Sequence, residues 1–325
     1  TMKKTFTLAG IAIALGFASF AAQSAEVTLK AVSAFSKDSF FDRTFEAFVK
    51  KVNAEGKGIV QINLLGGPET MPPFEIGNAV RSGVVDLAST TGVFHANLVP
   101  EALALSFTSV PMAELRKNGG YELMDKIHRE KANMVWLGRE TEGLKYHIYT
   151  NKKPVDDSFS GMKLRSVPVY RGFFQALGAL PLQVPPGEVY TALERGVVDG
   201  YGWPSVGIFD LGWQEKTKYR IDPGFYNVEV SLFMNQDKWK KLDDQQRAFL
   251  QKQVAEVEAN FAHDQELAAE EKKKLIAGGI QIIDLPPEQA KAFEAKADAS
   301  AWKVIDQTSP KYAAQLRKLF GGEGK

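Results

Sequence analysis

The sequence predicts an α/β protein built in two halves, each with strands and helices alternating around a mostly parallel sheet. Three observations predict it. Segments of strand period and helix period alternate along the chain. A fifteen-residue segment from the first half recurs in the second without a gap. The chain is 325 residues long and 44% hydrophobic, enough to bury two domain cores.

Taken in order, residues 27–33 alternate apolar and polar and predict the first strand. Asp38 is placed to cap a helix running to about Ala54, with Phe41, Phe45, Phe48 and Val52 on one face. Residues 59–65 predict a second strand. Pro72 and Pro73 open a helix to Arg81, because proline suits a first helical turn. Residues 84–89 predict a short buried strand. The same order returns later: strand 162–167, helix 170–177, strand 182–184, helix 187–195 and strand 197–200. The C-terminal third is different. Residues 243 to about 275 predict one long charged helix, with Phe249, Val254, Val257 and Phe261 as its apolar stripe. Residues 280–283 predict a strand and 286–320 a further helix.

The recurrence is PPFEIGNAVRSGVVD at 72–86 and PPGEVYTALERGVVD at 185–199, an offset of 113 residues. Both prolines, the Glu, one Ala and the closing Gly-Val-Val-Asp are identical. Each half thus uses a helix that ends at glycine, where a left-handed residue costs little, followed by a buried strand. Ligands of open α/β sheets bind beyond the carboxyl ends of such strands, so two loops are expected to face each other across a cleft.

Composition excludes several functions. The formal net charge is +1 with no basic patch, so no nucleic-acid partner is expected. The chain has no cysteine, which removes disulfides, thiolate catalysis and thiolate metal sites. The four histidines, His95, His128, His147 and His263, have no metal-helix spacing, and no Gly-x-Ser-x-Gly or phosphate-binding glycine loop occurs. No cofactor and no metal are therefore expected. Lys3 and Lys4 precede an apolar run to Ala22 and then small residues, which reads as a signal peptide over 1–24, cleaved near Ser24 or Ala25. No other stretch is apolar enough to span a membrane, so the expected mature chain is periplasmic and does not insert into the bilayer.

Candidate binding residues stand at strand ends. Arg165, in GMKLRSVP, is a cation among apolar neighbours and needs a partner. A ligand carboxylate and an ordinary Asp or Glu salt bridge both satisfy it. Trp203 follows the second Gly-Val-Val-Asp and offers an apolar wall with one N–H donor; domain packing accounts for it equally. Thr90 and Thr91 hold the matching place in the first half. Phe35, Tyr170 and His95 are weaker candidates of the same positional kind.

At these residues the chain resembles the extracytoplasmic solute receptors of tripartite ATP-independent periplasmic (TRAP) transporters, of the C4-dicarboxylate-binding type. The motifs are GMKLRSVP and GALPLQVPPGEVYTALERGVVDGYGWP, residues 178–204. The resemblance implies a two-lobed periplasmic binding protein fold, type II-like, with mixed sheets flanked by helices and a long helix spanning both lobes. One lobe is expected at 25–149 plus about 233–276, the other at 150–232 plus about 277–325. The resemblance further implies closure around a small organic acid, delivery to TRAP permease subunits, and a carboxylate clamp at Arg165. Trp203 tilts that expectation toward a monocarboxylate, such as a 2-oxo, hydroxy or aromatic acid. Two departures bear on this. Some relatives place a second arginine where this chain has Lys145 and His147, which weakens a dicarboxylate reading. Relatives that use a bound cation have an acid after the tryptophan, where this chain has Pro204. A periplasmic lyase or hydrolase, and a binding protein serving an ATP-driven importer or sensor kinase, stay open beside the receptor reading.

Overall fold

A computed structural model describes residues 25–155 and 158–321. The expected signal peptide over 1–24 lies outside the described residues.

The first sheet is built by β1 (Val27–Ser33), α1 (Phe40–Glu55), β2 (Val60–Gly66), α2 (Ile76–Ser82) and β3 (Leu87–Thr90). Helices α3 (Ala104–Phe107), α4 (Met112–Asn118) and α5 (Gly120–Ala132) then lead to β4 (Met134–Arg139). The second sheet takes β5 (Tyr146–Thr150), β6 (Lys163–Ser166), α6 (Pro168–Ala176), β7 (Leu180–Gln183), α7 (Val189–Glu194), β8 (Gly200–Pro204) and β9 (Tyr219–Asp222). The chain returns to the first sheet with β10 (Ser231–Asn235), α8 (Gln236–Lys241) and α9 (Asp244–Glu258). It closes with α10 (Ala262–Ala277), β11 (Gln281–Asp284), α11 (Pro287–Thr308) and α12 (Ala313–Phe320).

The strand orders are β2-β1-β3-β10-β4 and β11-β9-β5-β8-β6-β7. The two sheets share one plan. In each, a parallel trio (β2-β1-β3, β7-β6-β8) is followed by an antiparallel strand, β10 or β5, which arrives from the other half. The sheets are therefore mixed rather than mostly parallel, because the strand that crosses over enters from the opposite end.

The sequence repeat forms matching brackets. The backbone N–H of Lys30 donates to Asp86 Oδ2 at 2.8 Å and that of Lys163 to Asp199 Oδ2 at 3.0 Å. Each Asp N–H donates back to the same lysine's carbonyl, at 2.9 and 2.6 Å. Gly83 and Gly196 take φ +80° and +68°, which explains both glycines. The Val-Val-Asp residues lie ahead of the strands rather than starting them. β3 and β8 begin only at Leu87 and Gly200, and Val84 and Val197 are exposed.

Four further expectations are corrected. Asp38 is not the cap of α1: it has φ +63°, and Ser39 is the N-cap. The helix expected over 243–275 is two helices with a break at residues 259–261. Asp243 and Gln246 form a capping box that starts α9, which packs on the first sheet, while α10 reaches β11 of the second. A single rod cannot follow both layers where the chain passes between them. The last helix breaks likewise: α11 packs on α6 and on α3, and α12 returns to α3, α4 and α5 of the first half. Finally, β5 already belongs to the second sheet, so the first crossing falls between Arg139 and Tyr146, ahead of residue 150.

The first two crossing segments lie side by side. Glu140 N–H donates to Val230 O at 2.7 Å, Val228 N–H to Leu144 O at 2.9 Å, and Tyr146 and Phe225 exchange two backbone bonds at 3.1 and 2.9 Å. One apolar core runs on through both halves around them, and a second lies behind the first sheet among α1, β1, β2 and α9.

Candidate functional site

A cavity of about 30 Å³ lies between the halves, above the crossing segments. Its first-half wall is Phe35, Phe41, Thr91, Val93 and Phe94. Its second-half wall is Tyr146, Arg165, Val167, Tyr170, Trp203 and Pro204, and Val228–Val230 line its base. Of the seven sequence candidates, the fold brings together Arg165, Trp203, Tyr170, Thr91 and Phe35.

Arg165 comes from the carboxyl end of β6, which pairs with Leu182 of β7 and Tyr201 of β8. Its side chain is 1% exposed. Nε donates to Val184 O at 2.8 Å, and Nη1 donates to Tyr170 Oη at 2.8 Å and to Gly202 O at 3.1 Å. All of these acceptors are uncharged, and Nη2 has no partner. A buried guanidinium held only by neutral oxygens keeps an unbalanced charge and one free edge.

Tyr170, in the first turn of α6, braces this arrangement by donating to Gly202 O at 2.8 Å. Gly202 has to be glycine: a Cβ there would stand 2.7 Å from two carbons of the Tyr170 ring. Trp203 follows, with its ring centroid 5.5 Å from the Arg165 guanidinium and 4.7 Å from the Trp213 ring. Its Nε1–H is buried without a partner. Two donors, Arg165 Nη2 and Trp203 Nε1, are thus unused in the second-half wall.

Thr91 caps the short turn Gly92–His95, accepting from Val93 N–H at 3.2 Å. Phe35 closes the apolar side, with Phe41 at 5.0 Å. Two candidates lie elsewhere. Thr90 is buried within β3, opposite Ser231 of β10, and does not line the cavity. His95 does not line it either. The turn after Thr91 aims it inward, where its Nε2 meets His128 Nε2 at 3.1 Å and its ring packs on Phe233. Burial holds the His95 imidazole well below its ordinary range and lowers His128 to about 4.

Sequence reasoning missed the base of the cavity. Glu229 lies on the second crossing segment, 1% exposed. Its Oε2 accepts from Thr91 Oγ1 at 2.8 Å and from Gly92 N–H at 2.9 Å, while Oε1 has no partner. Burial raises its pKa, opposed by hydrogen bonding from Ser231, Thr91 and Gly92 and by the Arg139 charge. Glu140, on the first crossing segment, is also fully buried. Burial, with Glu229 and Asp42 nearby, pushes it up to about 8, against a 2.5 Å bond from Ser89 Oγ. The signal for Glu229 was present as a lone acid in the apolar run Val228-Glu229-Val230. Tyr146 was missed because its place depends on the β5–β8 register, in which it stands opposite Pro204. Its neighbour His147 faces away, with Nδ1 at 3.0 Å from both Ile221 O and Asp222 Oδ1.

The model of the bacterial extracellular solute-binding proteins, family 7 (DctP), matches residues 32–307. A monocarboxylate 2-oxoacid-binding periplasmic protein of Nostoc sp. (strain PCC 7120) is 26% identical over 287 residues, covering 83% of this chain and 76% of the relative. Two crystal structures share the fold. One is a Bordetella pertussis extracytoplasmic solute receptor binding pyroglutamic acid, with TM-score 0.80 and 19% identity, covering 91% of this chain and 100% of that one. The other is a TRAP periplasmic solute-binding protein from Sulfitobacter sp. NAS-14.1 with bound β-D-galacturonate, with TM-score 0.78 and 19% identity, covering 90% and 99%. Among the described residues no helix is long and apolar enough to cross a membrane.

Proposed function

Because the chain belongs to family 7 of the bacterial extracellular solute-binding proteins, the DctP family, we propose that it is the periplasmic receptor of a TRAP transporter, that it captures a small monocarboxylate, and that it hands this ligand to the membrane permease. The observation that carries the ligand class is Arg165. A fully buried guanidinium whose described bonds all go to uncharged oxygens, with Nη2 free at the cavity wall, is short of one anion. A carboxylate supplies the charge and accepts from Nη2, and Trp203 Nε1–H is a second donor in the same wall. The cavity offers no second arginine or lysine, which favours one carboxylate over two. The name of the Nostoc relative points to the same ligand class.

The division into lobes supports a mechanism. One lobe forms around each sheet, and the paired segments 140–145 and 223–230 are the hinge. Phe35, Thr91 and Phe94 approach from one side, Arg165, Tyr170 and Trp203 from the other. Ligand entering the open cleft pairs with Arg165, and closing brings the first-half wall onto it. Contacts made only when closed shift the population toward the closed form.

A thermal-shift screen against mono-, di-, 2-oxo-, hydroxy-, aromatic and sugar acids tests this. A ligand at 100 times its Kd adds about 2.7 kcal/mol of stability. The expected result is a shift with monocarboxylates. Arg165→Lys keeps the charge but loses the planar fork, and is expected to weaken binding by about 10- to 100-fold. Full affinity in Arg165→Lys and Arg165→Ala variants that fold, judged by circular dichroism, overturns the clamp.

A further inference from the structure

A third residue lining the cavity has an unpaired buried polar atom, of the opposite kind. Arg165 Nη2 and Trp203 Nε1 are donors in the second-half wall, whereas Glu229 Oε1 is an acceptor at the base. We infer that the ligand is a compact carboxylate carrying its own hydrogen-bond donor, a hydroxyl or an N–H close to the carboxylate, and that Glu229 receives that donor. This rests on the Arg165 reading and adds a second anchor to it.

The neighbours of Glu229 favour an acceptor over an O–H, working against burial, which raises its pKa. Its Oε2 takes a bond from the Gly92 backbone, a group that can only donate, and another from Thr91 Oγ1. The Arg139 guanidinium adds a favourable charge. Glu140 has no such backbone donor among its described bonds, only the Ser89 hydroxyl. Burial and the nearby Glu229 and Asp42 push Glu140 up to about 8, so of the two buried carboxyls Glu140 is the one placed to hold a proton. Ser231 stands near Glu229, yet no described donor reaches Oε1 with hydrogen-bond geometry. An acid whose C2 atom bears only a carbonyl oxygen would press a lone pair against this carboxylate and leave it unsatisfied. A hydroxyl or N–H in that place satisfies it, and such sites reject analogues that lack the donor. In the form seen here the cavity has room for about 30 Å³, so the test starts from compact acids.

The test is calorimetric titration of the full chain with matched pairs: lactate and pyruvate, 2-hydroxybutyrate and 2-oxobutyrate, alanine and propionate. In every pair that binds, the donor-bearing member is expected to bind about 10- to 100-fold more tightly. Glu229→Gln sharpens this. Gly92 N–H and Thr91 require an oxygen, so the amide oxygen stays with them and the NH2 turns to the cavity, and the preference between hydroxy and oxo acids should reverse. Equal affinities within the pairs that are lost in Arg165→Lys overturn this inference alone. So does a preference for oxo acids that appears only when sodium or calcium is added, since Glu229 would then serve a cation. Binding of no member of any pair overturns the Arg165 reading for compact acids, and this inference with it.

Discussion

Arg165 is held at its neck and left open at its tip, and the hold depends on Gly202. The Gly202 carbonyl accepts from both Arg165 Nη1 and Tyr170 Oη, while the Tyr170 ring lies against the Gly202 α-carbon. Gly202→Ala would set a methyl 2.7 Å from that ring and 3.0 Å from Phe174 Cζ, in a packed layer with no slack. We expect a loss of about 1–3 kcal/mol in urea unfolding. Ligand affinity should fall as well, because Tyr170 has to move and takes the Nη1 bond with it. Unchanged stability with unchanged affinity would show that the ring yields freely. Two of the site's determinants, Arg165 and Trp203, were legible because a cation or an indole at a strand end marks itself in the local sequence. Glu229 is equally local, but its partners lie 137 and 138 residues away.

Helix α1 belongs to the first sheet, yet its first turn faces the loop after β8. Arg43 Nη2 pairs with Asp210 Oδ2 at 3.2 Å, with half-exposed side chains. On the other side of that loop, Glu271 of α10 accepts from Gly207 N–H through both oxygens at 2.8 Å and from Ile208 N–H at 3.1 Å. The loop carrying the end of the ligand wall is thus tied to one helix that follows the first sheet and one that follows the crossing. The Arg43–Asp210 pair bridges the two halves. An exposed pair of this kind is worth at most about 1 kcal/mol. Arg43→Ala is therefore expected to raise the ligand dissociation rate by less than about 5-fold, by stopped-flow fluorescence, and to remove part of its salt dependence. A rate unchanged at low salt would mean the pair does not hold the closed form. The break between α9 and α10 was not legible, since both are charged and amphipathic through the same stretch. The break is set by where the two sheets stand.

At the scale of the whole molecule, buried titratable groups make stability depend on pH in two opposite ways. His95 and His128 are held below the ordinary histidine value of 6.5, His128 to about 4. The folded state then binds fewer protons than the unfolded one between about 6.5 and 4, so their contribution is present above 6.5 and lost as pH falls through that window. Glu140 is raised from 4.5 to about 8. Its folded state binds more protons, so its contribution is full below 4.5 and lost as pH rises toward 8. The melting temperature is expected to fall on both sides of a broad maximum. Glu140→Gln should flatten the alkaline limb, and His128→Asn the acid limb. Parallel pH profiles for wild type and either variant would show that the group does not titrate on unfolding.

By itself the sequence determined the repeated strand-helix-strand unit, the strand-end positions of Arg165 and Trp203, and the family resemblance. Each is written in spacing and residue type within a few dozen neighbours. Only the tertiary structure decided that β5 and β10 are exchanged between the sheets, that His95 turns into the core while Thr91 faces the cavity, and that Glu229 and Arg165 line the same cavity. The reason is physical. Periodicity states which face of an element is buried, but which sheet receives a crossing strand, and what a buried polar group then faces, depends on residues more than a hundred positions away.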